Sequence, residues 1–254
     1  MVRPVLAPSV KSAYVEPQFK DTTLASATGF MVKREGKVFL ITNRHVVRGR
    51  HQDTDQPLAA HGGVPNSIRI LFLLESQFNL WQELFEPLYD ENEEPLWIEH
   101  PRYRGKVDVI ALPLPQLDGK DVLGYDPWVE PVALIDPCER LSIIGFPLGI
   151  ISYTTLGIWV QGFVATQTQV NHGGLPCFLI DSRTRHGQSG APVIFYSGNG
   201  NYTSVLGMKT MSAGSVCDFV GVYSGRISKD SDLGTVWKAE VVREIIDASL
   251  ARSG

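Results

Sequence analysis

Residues 185–194, RHGQSGAPVI, set a serine between two glycines and run straight into apolar residues. A serine hydroxyl is a weak nucleophile until a neighbouring base takes its proton and a third group orients that base. The carbonyl it attacks also needs backbone amides aimed at its developing negative charge. Gly187 and Gly190 suit a turn of that kind, because glycine accepts backbone angles closed to other residues. The competing reading is an ordinary polar loop entering a strand, and GQSGA alone does not choose between them.

Two further segments shift the balance. In FLITNRHVV, residues 39–47, an apolar run ends in Thr42-Asn43-Arg44 and delivers His45 in front of Val46 and Val47. A histidine fixed at a strand end beside an apolar wall is placed to act as a base, although a lone histidine there is more often structural. In KVDVIALPLP, residues 106–115, Asp108 interrupts an otherwise apolar stretch. A carboxylate near a core is costly unless it is paired or hydrogen-bonded, and backbone amides alone could supply that.

The rest of the chain has the same texture. Short apolar runs such as GFMV, KVFLIT, SIRILFLL, LSIIGFPLG, GIWVQGFVA, CFLID, APVIFY and FVGVYSGRI are each bounded by Gly, Pro, Asn or Asp. Runs of about 4–8 residues rich in β-branched and aromatic side chains predict an all-β sandwich or barrel. SGNGN at 197–201 reads as a hairpin turn. One segment reads as a helix: Trp237, Val241, Ile245 and Ala248 recur at helical spacing, with Thr235 available as N-cap. We expect an N-terminal extension over 1–20, a first β unit over 21–115, a connector over 116–130, a second β unit over 131–234 and the helix over 235–254. Residues 48–66 and 88–96 read as polar loops.

Composition excludes several classes of function. Of 254 residues, 43% are hydrophobic and 20% charged, and the net charge is -4, so nothing in the charge balance calls for nucleic acid or an anionic membrane as partner. No apolar run approaches the ~18 residues of a membrane span. The opening MVRPVLAPSVKSAYVEPQFK lacks the apolar core of a secretory signal. Three cysteines, Cys138, Cys177 and Cys217, have neither metal-site nor disulfide-framework spacing. They are expected to be buried free thiols, and the protein to be cytoplasmic.

Chain order then separates the hydrolase classes. The six histidines are His45, His51, His61, His100, His172 and His186, and none follows Ser189. An α/β-hydrolase needs the order serine, acid, histidine and a second glycine where Ala191 stands, so that fold is excluded. TNRHVV, VDVIALPL and GQSGAPV, in that order, resemble the three signatures of trypsin-like serine proteases. The likeness is closest to the bacterial HtrA-type and glutamyl-endopeptidase branches. IIGFPLG at 143–149 is similar to the strand opening the second barrel in HtrA-type enzymes, and FVGVYSGRI at 219–227 to the strand walling the specificity pocket.

The resemblance runs over about residues 20–250, the extent of one catalytic domain, with no length left for a PDZ domain. It implies two six-stranded antiparallel Greek-key barrels of the chymotrypsin type and a C-terminal helix. It implies a serine endopeptidase with a polypeptide substrate and neither metal nor cofactor. Ser189 would attack the peptide carbonyl, His45 would move its proton, and Asp108 would orient the imidazole. The amides of Gly187 and Ser189 would form the oxyanion hole. Ser224 would support the aspartate, and Ser224, Gly225 and Arg226 would line the substrate.

Three positions depart from the pattern. Gln188 stands where secreted digestive proteases carry the aspartate that receives a new N-terminus, so no zymogen-type activation is expected. Val46 replaces the cysteine that follows the histidine in disulfide-bonded relatives. Arg183 falls on the pocket floor, where a guanidinium would favour an acidic residue before the scissile bond. The favoured alternative places Arg183 in solvent, or paired with Asp181 or another acid. Two rival functions stay open: a catalytically silent module that binds extended peptides, and a protease gated by an activating protein partner.

Overall fold

The computed structural model describes residues 5–58, 62–77, 80–151, 156–228 and 230–253. Residues 1–4 of the expected extension, 59–61 of the polar loop and 254 of the helix lie outside them.

Nine strands make the first sheet among the described residues: β1 (Ser12–Phe19), β2 (Thr22–Thr23), β3 (Ala27–Arg34), β4 (Lys37–Thr42), β5 (Ser67–Leu73), β6 (Trp81–Pro87), β7 (Ile98–Glu99), β8 (Ile110–Pro113) and β9 (Gly124–Tyr125). Their order is β6-β5-β1-β3-β4-β8-β7, with β2 on β1 and β9 parallel to β3. A short helix, α1 (Arg44–Arg48), follows β4 directly. The second unit is a closed six-stranded barrel, β10-β11-β12-β17-β16-β13. Its strands are β10 (Arg140–Gly145), β11 (Ile158–Val164), β12 (Cys177–Asp181), β13 (Pro192–Ser197), β16 (Val216–Arg226) and β17 (Leu233–Lys238). A separate hairpin, β14 (Asn201–Thr203) with β15 (Lys209–Met211), projects between β13 and β16, and helix α2 (Ala239–Ser253) ends the chain.

Period-2 alternation builds three cores from these strands. On β3 and β4, Met31, Val38 and Leu40 face the interior of the first sheet. Their neighbours Phe30, Val32, Phe39 and Ile41 turn to the opposite side and meet Ile144, Ile194, Val222 and the helix α2. On β10 and β13, Leu141, Ile143, Val193 and Phe195 fill the barrel. The middle cluster therefore welds the two units together, and α2 contributes Val241, Val242, Ile245 and Ile246 to it at helical spacing.

Several expectations need correction. Residues 12–19 are no extension: β1 pairs with β3 through Ser12–Val15 and with β5 through Tyr14–Gln18. Pro17 obscured it, but β3 begins at Ala27 opposite Val15, so the missing N–H of Pro17 falls where no β3 residue pairs with it. Among the described residues the first unit is a nine-stranded sheet that strand pairing does not close, so the six-strand count holds for the second unit alone. Its two edges approach instead through a loop bond from Leu96 N, just before β7, to Leu88 O, just after β6. The connector 116–130 supplies β9, which joins the first sheet beside Met31 and Val32.

The helix starts at Ala239, not at Thr235. Thr235, Val236 and Trp237 pair with both β12 and β16 and close the barrel. SGNGN makes a turn, but β13 is already paired with β10 and β16, so β14 takes β15 as its partner. All three thiols are free, yet only Cys177 is buried; Cys138 and Cys217 are exposed.

Candidate active site

Thr42 ends β4, and its hydroxyl donates to Thr28 O at 2.8 Å, fixing where the chain leaves the sheet. Asn43 is extended (ψ 149°), and helix α1 begins at once, presenting His45 in its first turn until Gly49 ends it in the left-handed region. Opposite, Asp108 is only 1% exposed, just before β8. Its carboxylate accepts three bonds: from His45 N at 2.8 Å, from His45 Nδ1 at 2.6 Å, and a short one from the Ser224 hydroxyl. Asn43 Nδ2 donates to the carbonyl of Asp108 at 2.6 Å. The acid therefore has the partners that a buried charge requires.

A carboxylate only accepts, so the proton of the neutral His45 ring sits on Nδ1 and Nε2 is left as the basic nitrogen. Burial works against a charge on His45, but the negative charge of Asp108 and its hydrogen bond outweigh that and raise the imidazole above its ordinary 6.5. The side chain keeps 17% of its surface exposed, enough to meet a substrate.

Ser189 arrives by a different construction. Gly187 (φ 92°) and Gly190 (φ 83°) both lie in the left-handed region. A Cβ at Gly187 would collide with the carbonyl of Phe146, and one at Gly190 with Thr28 O and the Thr42 hydroxyl. Glycine is thus required at both by conformation and by space. Three backbone bonds pin the turn to two strands, β3 and β16: Thr28 N to Ser189 O, Gly190 N to Tyr223 O and Tyr223 N to Ala191 O, each 2.9 Å. The same anchors hold the other groups, since Thr28 accepts from the hydroxyl of Thr42, three residues before His45, and Tyr223 precedes Ser224. Among the described residues no hydrogen bond joins Ser189 to the His45 ring.

The peptide carbonyls from His186 to Ser189 are all engaged. His186 O accepts from Leu148 N at 2.6 Å, and Gln188 O from Ala191 N at 3.0 Å. Gly187 O accepts from the Thr28 hydroxyl at 2.7 Å, whose oxygen in turn accepts from Phe146 N at 3.0 Å. In a trans peptide the N–H points opposite to the carbonyl. The amides of Gly187 and Ser189 are therefore turned away from these anchors, and neither donates to a described protein group. Gln188 is wholly buried; its Oε1 accepts from Arg185 N at 2.9 Å, while Gln188 N donates to Arg185 O at 3.3 Å. That reciprocal pair staples the turn from within.

The structure thus gathers His45, Asp108 and Ser224 in one bonded cluster, with Gly187, Ser189 and Gly190 packed against the same strand ends. Gly225 and Arg226 continue β16 from Ser224, pairing with Thr235 and Gly234 of β17. Arg183 does not join them. Its side chain is 84% exposed, with Nε 3.8 Å from Asp232 Oδ2, so it forms no pocket floor. The segment 182–185 turns it outward while Ser182 and Thr184 point in and are buried. Sequence reading missed Thr28, Asn43 and Gln188 as positioning groups. A polar residue inside the strand run ATGFMV was the one signal for Thr28.

No protein-family model matches the chain, and no curated protein matches it. Solved structures do. The serine endoprotease of Yersinia pestis superposes with a TM-score of 0.56 at 11% identity, over 97% of this chain and 67% of that one. The Rv3671c protease of M. tuberculosis in its active form gives 0.48 at 17% identity, over 95% of this chain and 81% of that one. The first likeness establishes the class of fold: a mostly β protein with a closed barrel and a C-terminal helix, built like a serine endoprotease.

Proposed function

We propose that the chain is a serine endopeptidase working through His45, Asp108 and Ser189. The observation that carries this reading is the buried Asp108 carboxylate, bonded at once to His45 Nδ1, His45 N and Ser224, beside a glycine-framed serine whose turn leaves two amides uncommitted. The serine-endoprotease fold supports it independently.

The chemistry follows from these positions. His45 Nε2 takes the Ser189 proton as Oγ bonds to the peptide carbonyl carbon, and the carbonyl electron pair moves onto oxygen. The amides of Gly187 and Ser189 hold that oxyanion. Collapse breaks the C–N bond, and His45 gives its proton to the departing nitrogen. Water then repeats the sequence, losing a proton to His45 and releasing the acid, while the proton returns to Ser189. Asp108 stays ionised throughout, holding the ring and balancing its positive charge.

The acyl side of the substrate would run along residues 224–226. Strand β13 stops pairing with β16 at Val222, and β17 occupies the far edge. The bond from Gly190 N to Tyr223 O places the nucleophile turn on the vacated side. A peptide laid there adds a strand, reading backbone first and side chains second.

Treatment with a fluorophosphonate probe, followed by peptide mapping, tests the reading. Labelling at Ser189 is expected, abolished in Ser189→Ala and reduced by about 10⁴-fold or more in His45→Ala. Folded protein that takes no label would refute it and favour a silent peptide-binding module.

A further inference from the structure

We propose that Tyr223 closes the space beside Ser189 that receives the substrate side chain, so that the enzyme cuts after small residues: glycine, alanine and serine. The inference rests on the peptidase reading above.

A peptide whose carbonyl carbon meets Ser189 Oγ, and whose chain follows the edge of Ser224 and Gly225 beyond the end of the β13 pairing, has little choice of where to send the side chain of its reacting residue. That side chain must enter between the two segments flanking the nucleophile. One is 182–186, which leads into the turn. The other is 223–226, tied to the turn through Gly190 N and Tyr223 O. Strand β17 stands behind them, because Gly234 and Thr235 pair with Arg226 and Gly225.

One side chain bridges all three walls. Tyr223 is rooted on β16 and is 2% exposed. Its ring packs against Gly234, where an added Cβ would stand 2.6 Å from Cε2 and 2.7 Å from the phenol oxygen. Its hydroxyl shares a short hydrogen bond with the Thr184 hydroxyl, and Thr184 is itself buried. A large substrate side chain would have to expel the ring, stranding a buried hydroxyl and losing close packing on Gly234. Burial pushes the phenol up to about 12, so the plug stays neutral across the working range of pH. With Arg183 turned to solvent on Asp232, that residue offers no deep cation for an acidic side chain.

The test profiles the full-length chain against quenched peptides that vary only the residue before the scissile bond. Tyr223→Val and Tyr223→Phe are assayed in parallel, together with fluorophosphonate labelling and circular dichroism. The wild-type kcat/KM is expected to be at least about tenfold higher for Gly, Ala or Ser than for Leu, Phe or Lys. Tyr223→Val should narrow or invert that ratio by a similar factor, while Tyr223→Phe keeps the wild-type profile. A wild-type preference for Leu, Phe, Lys or Glu overturns the proposal while leaving the peptidase reading intact. So does an active Tyr223→Val with an unchanged profile. Should that variant not fold, the wild-type profile decides alone. Folded wild-type protein that takes no label, or takes label and cuts no peptide, overturns the proposal; the first result also removes the reading beneath it.

Discussion

The two sides of the candidate site are held by different means. His45 and Asp108 are fixed by side-chain bonds converging on one buried carboxylate. Ser189 is fixed by backbone bonds and by two glycines, with no side-chain bond to His45. On the proposed reading, the contrast reflects what each would have to do. A base has to be oriented and electrostatically tuned, which a buried charge does well. An oxyanion hole has to leave amides unused, so its shape must come from conformation and from carbonyls tied down elsewhere. The two sides should accordingly fail in different ways.

The largest effect is expected on the charged side. Asp108→Asn keeps the size but presents an amide to His45, favouring the wrong tautomer, and kcat/KM should fall by roughly 10⁴-fold. The pH profile carries a second signature. Because Asp108 raises His45 above 6.5, the acid limb of the wild-type profile should have its midpoint above that value, activity growing as the ring loses its proton. Stability runs the other way. A raised folded value means that the contribution of His45 is full below about 6.5 and is lost as pH rises through the folded value. In Asp108→Asn burial remains while the attraction is gone, so the midpoint of the residual activity should move down. An unchanged midpoint would mean that Asp108 does not tune the base.

The conformational side should show a smaller loss and a different signature. Gly187→Ala puts a methyl against the Phe146 carbonyl at a positive φ. It is expected to cost about 10²–10³-fold in kcat and about 1–3 kcal/mol in stability, with the His45 midpoint unmoved. Thr28→Val acts at a distance on the same turn. It strands Phe146 N and Gly187 O, each worth about 1–3 kcal/mol when left unpaired. Kinetics beside denaturant melts would separate the sides, and a shifted pH midpoint in Gly187→Ala would erase the distinction.

This division also explains what could be read in the sequence. His45, Asp108 and Ser189 stood out because each breaks a local pattern: a histidine after an apolar run, a charge inside one, a serine framed by glycines. The closed barrel was legible from the short apolar runs of its strands. The first sheet was less so, because β1 follows Lys11 and carries Glu16 and Pro17 within it, and reads as a polar tail until its partners β3 and β5 are in place. Trp237 fits the helical spacing as well as it fits strand β17, and only the need for a sixth barrel strand decides its state. Thr28 and Tyr223 act through contacts more than 35 residues away in the chain. No local pattern announces such contacts.

Ser224 belongs to both sides, and so gives the finest test of the contrast. Its hydroxyl donates to Asp108, while its strand forms the proposed substrate edge. Ser224→Ala removes one donor from a carboxylate that keeps two. Stability should fall by about 1.5–3 kcal/mol, the worth of a hydrogen bond to a charged group. Activity should fall by about tenfold, equivalent to ~1.4 kcal/mol less support for the base. The direction of the pH shift identifies the mechanism. With the hydroxyl gone, the Asp108 charge bears more fully on His45, so the acid limb should move up, opposite to Asp108→Asn. A lower melting temperature with an unmoved midpoint would instead make Ser224 a packing residue of β16, leaving His45 and Asp108 as the whole of the charged side.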